Sequence, residues 1–517
     1  MFLALLSSGC LLISDEELAG RLADLDQDGF VGSAHGGADC DDEDPAVHPL
    51  ADEICGDGAD GDCDGDPEDC RLGPATTLAD ADAELFSEVP GEAAGSIVVM
   101  AGDVDDDGYG DVLVGAVYSD ERGEHAGLVY LVRGPLEGSR GLGTATARFL
   151  GEEAGALAGM AAEGAGDVNG DGRADLLVGS PGVNAGGEQA GAAYVLYGPQ
   201  EGDIDLASAD ARILGDLPWD AIGYDLAAAG DLDGDGLADV IVGAGVADVD
   251  GLEDSGAACV FSGPVVGEHR LSEAAACLAG PVSFARAGGN VSGPGDVDGD
   301  GFDDLWVAGM NMPREPGGEL GVGAAWLVYG PVAGRIDPAD ADAVLYGEAV
   351  GDSFGTDLAG AGDVDKDGYA DLLALSWGAD RGGTNAGAAY LVRGPLHGEA
   401  EAADADVVWS GSAESPLHPQ VRPAGDLDAD GWPDVVISSG RDRQGGTDAG
   451  AAFVFYGPLL QRGEPRTLLG VAPGDLAGWS VEGRQDVDGD GVDDLLVGGW
   501  GVGEEAGAAW LVLGESR

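Results

Sequence analysis

The chain contains an acidic nine-residue pattern, D-x-[DN]-x-D-G-x-x-D, in seven copies. Carboxylates at positions 1, 3, 5 and 9 and a backbone carbonyl at position 7 supply oxygen ligands, and Gly at position 6 permits a sharp turn. Such oxygens suit a hard cation, and they suit calcium better than magnesium. Without a cation, each copy would hold three or four like charges close together, which is costly. The pattern therefore predicts about seven calcium sites.

The candidate calcium ligands are the side chains at these four positions of each copy. They are Asp103, Asp105, Asp107 and Asp111; Asp167, Asn169, Asp171 and Asp175; Asp231, Asp233, Asp235 and Asp239; Asp296, Asp298, Asp300 and Asp304; Asp363, Asp365, Asp367 and Asp371; Asp426, Asp428, Asp430 and Asp434; and Asp486, Asp488, Asp490 and Asp494. Asn169 is the one variation, and it is a neutral oxygen donor.

Two other calcium-binding architectures are excluded. An EF-hand needs a bidentate Glu at position 12, whereas the residues there are Val114, Val178, Val242, Val307, Ala374, Ile437 and Val497. An apolar residue at this point belongs to a following strand, so the loop links strand to strand. A calcium-binding β-helix has a period of nine residues, whereas these copies begin 60 to 67 residues apart.

The acidic loops lie at fixed places in a longer repeat. Each is followed by an apolar run such as DVLVGA from Asp111, then by a motif such as GAAYVLYGP from Gly191, and later by a run such as ARILG from Ala211. A fourth short run precedes each loop. Short apolar runs bounded by Gly, Pro and Asp are typical of strands. Four strands in each of seven repeats predict an all-β fold, the seven-bladed β-propeller.

The two ends of the repeat region predict how the ring closes. Residues 73–90 align with the segment that begins at Gly198, so the chain enters the array at the last strand of a blade. It leaves after residues 510–513, the third strand of the seventh copy. One N-terminal strand plus three C-terminal strands therefore complete the seventh blade, which pairs an otherwise exposed edge.

These loops and their period resemble the FG-GAP repeats of the integrin alpha-subunit β-propeller, across residues 73–517. The fifth copy is the most similar, with Phe354-Gly355 followed by GAGDVDKDGYADLLAL from Gly360. The third copy has Ile222-Gly223 instead, and the fourth, sixth and seventh lack a clean Phe-Gly pair. The resemblance implies structural calcium on the lower face of the ring, ligands on the upper face, and export in bacterial relatives.

The segment before the propeller is rich in Asp and Cys. Residues 24–66 resemble an Asp/Cys-rich metal-binding motif of exported bacterial proteins, through DLDQDG from Asp24, DCDDEDP from Asp39 and EICGDGADGDCDG from Glu53. The resemblance implies a small disulfide-stapled cation-binding module over residues 24–70, with Asp24, Asp26 and Asp28 as candidate metal ligands. A solvated acidic linker is the alternative, since acidic Gly-rich stretches are often disordered.

The N-terminus favours export. Residues 1–10, MFLALLSSGC, are similar to the end of a bacterial lipoprotein signal, with Cys10 as a candidate lipid site and residues 11–23 as a linker. The segment lacks the basic n-region of a signal peptide, and a frayed N-terminus is the alternative. No apolar run reaches the length of a membrane-spanning helix. The expected location is the outer membrane or cell surface as a lipoprotein, or secretion.

Cysteine usage favours an oxidising compartment. Four cysteines fall within 31 residues, Cys40, Cys55, Cys63 and Cys70. They indicate disulfides, although the sequence does not determine which cysteines pair. A zinc site is the alternative, but the spacing lacks the C-x2-C pair of such a site. Cys259 and Cys277 fall on neighbouring strands of the third blade, where either a cross-strand disulfide or two buried thiols would fit.

Charge excludes other classes of protein. The 517 residues carry 98 Asp and Glu against 22 Lys and Arg, a formal net charge of −76. A nucleic-acid binder needs a basic face, and an anionic membrane surface attracts basic segments. The charge therefore argues against binding to nucleic acid or to an anionic membrane surface. We expect a monomeric propeller whose partner is an unknown extracellular protein or polysaccharide.

The loops opposite the calcium loops are the expected ligand site. They follow the second and fourth strands and contain Trp219, Trp377, Arg381, Arg441, Arg443, Trp479 and Trp500. Exposed Trp and Arg are common interface anchors, although Trp packed between blades is the alternative. The histidines form no metal-binding spacing, and the G-x-S-x-G at Gly351–Gly355 lies before a strand. We therefore expect a non-enzymatic binding or adhesion module, with an exported hydrolase or lyase as the alternative.

Overall fold

The computed structural model describes residues 75–315, 317–460 and 465–515. The chain divides into two units, of which the second, Ala75–Gly514, is compact. The second unit is the fold described below. The predicted signal segment, linker and metal-binding module, with Cys10, Asp24, Asp26, Asp28 and the four clustered cysteines, lie outside the described residues.

The second unit is built almost entirely from strands, numbered in chain order. The first eleven are β1 (Ala75–Thr77), β2 (Ala83–Phe86), β3 (Ala94–Gly102), β4 (Asp111–Ala116), β5 (Leu128–Val132), β6 (Gly138–Gly141), β7 (Ala147–Leu150), β8 (Ala162–Gly166), β9 (Asp175–Ser180), β10 (Ala192–Leu196) and β11 (Gly202–Asp205). The next eleven are β12 (Ala211–Leu214), β13 (Leu226–Gly230), β14 (Asp239–Ala244), β15 (Ala257–Phe261), β16 (Gly267–Arg270), β17 (Ala276–Ala279), β18 (Ala287–Ser292), β19 (Leu305–Gly309), β20 (Ala324–Val328), β21 (Gly334–Ile336) and β22 (Ala343–Tyr346). The last twelve are β23 (Asp357–Gly362), β24 (Asp371–Ser376), β25 (Ala388–Val392), β26 (Gly398–Glu401), β27 (Val407–Ser410), β28 (Val421–Gly425), β29 (Asp434–Ser439), β30 (Ala451–Phe455), β31 (Arg466–Leu469), β32 (Ser480–Gln485), β33 (Asp494–Gly499) and β34 (Ala508–Val512).

Helical structure in the described residues is limited to single turns. Six are 3-10 turns that precede the fourth strand of a blade, Leu78–Asp80, Leu142–Thr144, Leu206–Ser208, Leu271–Glu273, Pro338–Asp340 and Ala402–Asp404. One further turn, Val502–Glu505, lies in the loop before β34 and has left-handed backbone at Gly503 and Glu504. No helix of the described residues is long and apolar enough to span a lipid bilayer.

The strands form seven sheets, each with four antiparallel strands in the order of a propeller blade. The quartets are β3-β4-β5-β7, β8-β9-β10-β12, β13-β14-β15-β17, β18-β19-β20-β22, β23-β24-β25-β27, β28-β29-β30-β31 and β32-β33-β34-β2. These seven blades confirm the predicted fold class.

The second strand of each blade is buried on both faces. In β4, β9 and β14 every residue is buried. A strand between two neighbouring sheets reads as a continuous apolar run rather than an alternating one. Accordingly Leu177 of one blade and Val240 of the next share one apolar cluster. The apolar residues at position 12 lie in these second strands, as predicted.

The seventh blade combines both ends of the unit. Its fourth strand is β2, which pairs antiparallel with β34, so that Leu85 lies opposite Ala509. This arrangement agrees with the predicted ring closure, in which one N-terminal strand joins three C-terminal ones.

Six of the sheets have a fifth strand, whereas the sequence predicts four strands per repeat. The segment between the third and fourth strands of one blade runs parallel to the fourth strand of the preceding blade, as where Ile204 of β11 lies opposite Phe149 of β7. The strands β6, β16, β21, β26 and β1 do the same. Each covers an outer sheet edge, which would otherwise expose unpaired backbone groups.

Cys259 and Cys277 form a disulfide across the third blade. They are directly opposite each other on β15 and β17, and their Sγ atoms are bonded. The cross-strand disulfide is thus confirmed over the alternative of two thiols.

Candidate metal centres

Each acidic loop joins the first strand of a blade to the second and curls around the Asp at position 1. In the second loop, Oδ1 of Asp167 accepts N–H groups from Gly170 and Asp171 at 2.7 and 3.0 Å, and Oδ2 accepts that of Gly172 at 2.8 Å. Gly at position 6 has φ between +84° and +97° in all seven loops. An L side chain rarely adopts this conformation, so the sequence argument for that glycine is correct.

The Asp at position 9 is buried and accepts two backbone N–H groups. In the first loop, Oδ2 of Asp111 accepts from Val104 at position 2, and Oδ1 accepts from Gly134 at the end of the third strand, both at 3.0 Å. The same pair of hydrogen bonds recurs in the other six blades. This carboxylate therefore ties the loop to two strands.

The loops bring carboxylates from the candidate ligand positions close together. The groups of three Asp residues whose ligand oxygens lie within 4.8 Å of one another include Asp103–Asp105–Asp111, Asp231–Asp233–Asp239, Asp296–Asp298–Asp300, Asp363–Asp365–Asp371 and Asp426–Asp428–Asp434. In three of these loops one carboxylate oxygen is buried and has no hydrogen-bond partner, namely Oδ1 of Asp105, Asp365 and Asp426. Buried acceptors are normally satisfied, so this oxygen set fits a hard cation.

Burial opposes negative charge in these loops. It raises the pKa of Asp434 to about 8 and those of Asp304 and Asp494 to about 7. It raises the pKa of Asp111 to about 6, and neighbouring loop carboxylates act in the same direction. A bound cation would reverse this effect, because it favours the ionised form of its ligands.

Two loops carry an arginine that the sequence reading missed. Arg133 pairs with Asp105 at 2.9 Å, and Arg393 pairs with Asp365 at 2.8 Å. Both arginines directly precede the Gly-Pro that ends the third strand, where three other blades have Tyr197, Tyr329 and Tyr456. The residue before Gly-Pro varies between blades, so an Arg at this position of the sequence marks the loops that have an arginine partner.

Neighbouring loops are also joined by their backbones. The N–H at position 8 of one loop donates to the carbonyl at position 1 of the preceding loop, as from Ala174 to Asp103 and from Ala370 to Asp296. Bonds of 2.9 to 3.3 Å make five such links, including one from Gly110 to Asp486 between the first and last loops. These bonds connect the seventh loop and the first five in a row, whereas position 8 of the sixth loop is Pro433, which has no N–H to donate.

The loops after the second and fourth strands carry an aromatic row, defined as Trp377, His418, Trp479 and Trp500. Trp377 stacks on His418 with ring centroids 4.9 Å apart, and Trp479 contacts His418 at 5.8 Å and Trp500 at 5.6 Å. Trp377 and Trp219 are 44% and 53% exposed. Trp479 and Trp500 are half-buried, so the predicted upper-face tryptophans divide between exposed and packed positions.

The arginines predicted on this face are exposed. Arg381 pairs with Glu348 at 2.6 Å, and Arg443 lies 3.9 Å from Asp448. The G-x-S-x-G segment has no helix after it: Phe354 is fully buried in the core, and β23 follows. A nucleophile elbow needs that helix.

The fold and the loops define the class of protein, a seven-bladed β-propeller with an acidic loop in every blade. The family model described as "FG-GAP repeat" matches residues 161–196, which span the second acidic loop. The model described as "Putative metal-binding motif" matches residues 39–69, in the part predicted from the sequence to be a metal-binding module.

Among curated proteins, the chain is similar to integrin alpha-IIb of Homo sapiens, with 31% identity over 170 residues, which is 31% of this chain and 16% of the integrin. The chain spans less than a fifth of the length of the curated relatives it matches. The solved structures that match include BBS1N in complex with ARL6DN (TM-score 0.41, 9% identity, 82% of this chain and 93% of that chain) and rhamnogalacturonan lyase YesW (TM-score 0.38, 13% identity, 81% of this chain and 72% of that chain).

Proposed function

We propose that this chain is an exported calcium-binding β-propeller that acts as a non-enzymatic binding or adhesion module. The observation that supports calcium binding is the carboxylate clusters, in which oxygens of three Asp residues lie within 4.8 Å of one another and some buried acceptors have no hydrogen-bond donor. The side chains at positions 1, 3, 5 and 9 and the carbonyl at position 7 would hold the ion. Bound calcium would neutralise the carboxylates and so stabilise each loop.

The role of the metal in this proposal is structural. Each loop fixes the turn between the first two strands of its blade, and its position-1 carbonyl holds the next blade in five places. A cation in one loop would therefore stabilise the contact between two blades.

Thermal unfolding of the calcium-free protein during a calcium titration tests this part. We expect the midpoint to rise with calcium, because a site at a hundred times its Kd contributes about 2.7 kcal/mol. Magnesium at equal concentration is the control and should stabilise less. No stabilisation at millimolar calcium would contradict the proposal.

Export is supported by the disulfide between Cys259 and Cys277, because disulfides persist in oxidising compartments. We propose a cell-surface lipoprotein anchored at Cys10 or a secreted protein. Metabolic labelling with a palmitate analogue separates the two, since only a lipoprotein would incorporate label and lose it in Cys10→Ala. Recovery of the whole chain in the cytoplasm would contradict export.

The binding part rests on the aromatic row and the exposed Trp219. Exposed tryptophans on loops of a rigid scaffold suit an extracellular protein or polysaccharide partner. Glycan and protein arrays probed with the calcium-loaded chain would identify it. We expect Trp377→Ala to lose the signal. Leu460→Ala is the control and should retain the signal. Leu460 is an exposed apolar residue that follows β30, the third strand of its blade, and it therefore lies at the opposite end of the blade from the aromatic row. Equal loss in both variants would contradict this face.

A further inference from the structure

A cavity of about 360 Å³ lies on the axis of the ring, because residues from all seven blades line it. Its walls include polar side chains that come from two sequence positions in or beside the innermost strands, and these positions are two residues apart. Asp225, Asn290 and Asp357 lie six residues before their acidic loops, and Glu163 and Arg422 lie four residues before theirs. Side chains two residues apart share one face of a strand, so these groups form two adjacent tiers.

The tiers hold more acidic than basic side chains. Arg422 pairs with Asp357 and lies 3.5 Å from Glu482. Oδ2 of Asp225 accepts the Val291 N–H at 2.7 Å. The side chain of Glu163 makes no hydrogen bond or ion pair with any described residue. A further cavity shares Glu163, Asp225 and Arg422 with this one and is also lined by Glu482 and Arg484. The two cavities together place four carboxyl groups, those of Glu163, Asp225, Asp357 and Glu482, beside the two arginines.

An unpaired acceptor in the same wall points independently to a ligand. Asn290 is 8% exposed and lines the cavity. Its Nδ2 donates to Oδ1 of Asp357 at 3.4 Å, while its Oδ1 has no hydrogen-bond partner among the described residues. Leaving a buried acceptor unpaired is costly, so the cavity lacks a hydrogen-bond donor at this point.

Aromatic side chains surround the mouth of the cavity. Tyr118, Tyr224, Trp479 and Trp500 line it, and the two tryptophans are the inner end of the aromatic row. Aromatic faces attract cations and pack against methylene groups. A ligand that fits carries positive charge and N–H donors on a narrow aliphatic chain.

We propose that the axial cavity binds an aliphatic di- or polyamine. One ammonium group lies between Glu163, Asp225 and Oδ1 of Asn290, and the methylene chain extends past Trp479 and Trp500 towards the mouth. This inference rests on the proposed binding role of the face that carries the aromatic row. It does not depend on calcium in the loops.

Titration calorimetry with spermidine and putrescine, on the full chain saturated with calcium, tests the proposal. We expect saturable binding and quenching of tryptophan fluorescence. Glu163→Gln should weaken binding at least tenfold, because it removes one carboxylate without changing side-chain volume. Glu137→Gln is the matched control, since it removes the same charge from an exposed residue outside the cavity, and it should bind as the wild type does.

Three outcomes would overturn the inference. They are no binding at millimolar spermidine, equal affinities in the two variants, and complete displacement by additional calcium, which would indicate a metal site. Circular dichroism of each variant shows whether it folds, and Asn290→Ala provides a second variant that keeps the charge. Calcium-dependent melting and array binding on the same samples would separate failure of this inference from failure of the proposed function.

Discussion

The backbone N–H of Gly134 donates a 3.0 Å hydrogen bond to Oδ1 of Asp111, the last residue of the first acidic loop pattern. Oδ2 of the same carboxylate accepts the N–H of Val104 at 3.0 Å. All seven blades repeat this arrangement, so the Asp at position 9 joins the loop to the third strand through hydrogen bonds that involve no cation.

Asp111→Asn should therefore destabilise the protein even without calcium. The amide has one acceptor oxygen, so one buried N–H loses its partner, at a cost of about 1–3 kcal/mol. Asp107→Asn is the matched control, because Asp107 is exposed and its Oδ1 acceptor for Tyr109 N–H remains available as the Asn oxygen. Denaturant unfolding in chelator measures both. Equal stabilities would show that the carboxylate acts only as a metal ligand.

The arginine beside the fifth loop should weaken calcium binding there. Arg393 pairs with Asp365 and also with Asp406 at 2.9 Å, so a calcium ion would compete with a cation already present. Arg393→Tyr, which copies the residue in the second and fourth blades, should raise the calcium affinity of this loop about 3–10-fold, or about 0.7–1.4 kcal/mol.

Hydrogen exchange of the peptide that contains residues 363–371 locates the effect. The calcium concentration at half-protection should fall in Arg393→Tyr, while Tyr329→Phe, which leaves loop charge unchanged, serves as the control. An unchanged midpoint would mean that the arginine moves aside without cost.

The closing strand should be essential for stability. Leu85 on β2 is 2% exposed and packs in the apolar cluster of the first and seventh blades. Leu85→Ala should cost about 2–5 kcal/mol, the usual range for a buried Leu. Glu84→Gln on the same strand keeps an acceptor for the Ser139 hydroxyl and should cost far less. Similar unfolding free energies for both would indicate that the ring is stable without β2.

The sequence predicted the blades well because their strands depend on local patterns. The buried second strands and the glycines at position 6 follow from apolar runs and turn chemistry, and both agree with the structure. The fifth strand was missed because segments such as Gly398–Glu401 are polar and exposed, so apolar patterning does not mark them. Asn290 and Glu163 were missed because their proximity arises only when distant repeats close into a ring.

The disulfide should contribute measurably to stability. Cys259 and Cys277 are separated by 18 residues, and a loop of that size corresponds to about 3 kcal/mol in the chain-entropy description. The double variant Cys259→Ala, Cys277→Ala should lose about 2–3 kcal/mol in denaturant unfolding. The wild type in reductant should fall to the same value, and a reductant effect of equal size in the double variant would contradict the assignment.

The axial cavity should make stability depend on pH through Asp225. Burial raises the pKa of this carboxyl to about 7, and the charged groups that face it are Glu163, Asp357 and Arg422. From about pH 4 to pH 7 the folded protein keeps a proton that the unfolded chain has lost. The carboxyl therefore contributes stability below pH 4 that is lost as pH rises to 7, by up to about 1.4 kcal/mol per pH unit.

Asp225→Asn removes this titration while keeping an acceptor oxygen for the Val291 N–H. Relative to the wild type, the variant should gain stability as pH rises from 4 to 7, in urea unfolding at saturating calcium without amine. Glu137→Gln, with the same change in charge on an exposed residue, controls for net charge. Parallel stability curves for Asp225→Asn and the wild type would show that the carboxyl is ionised throughout, and that the axial cavity is better solvated than its walls indicate.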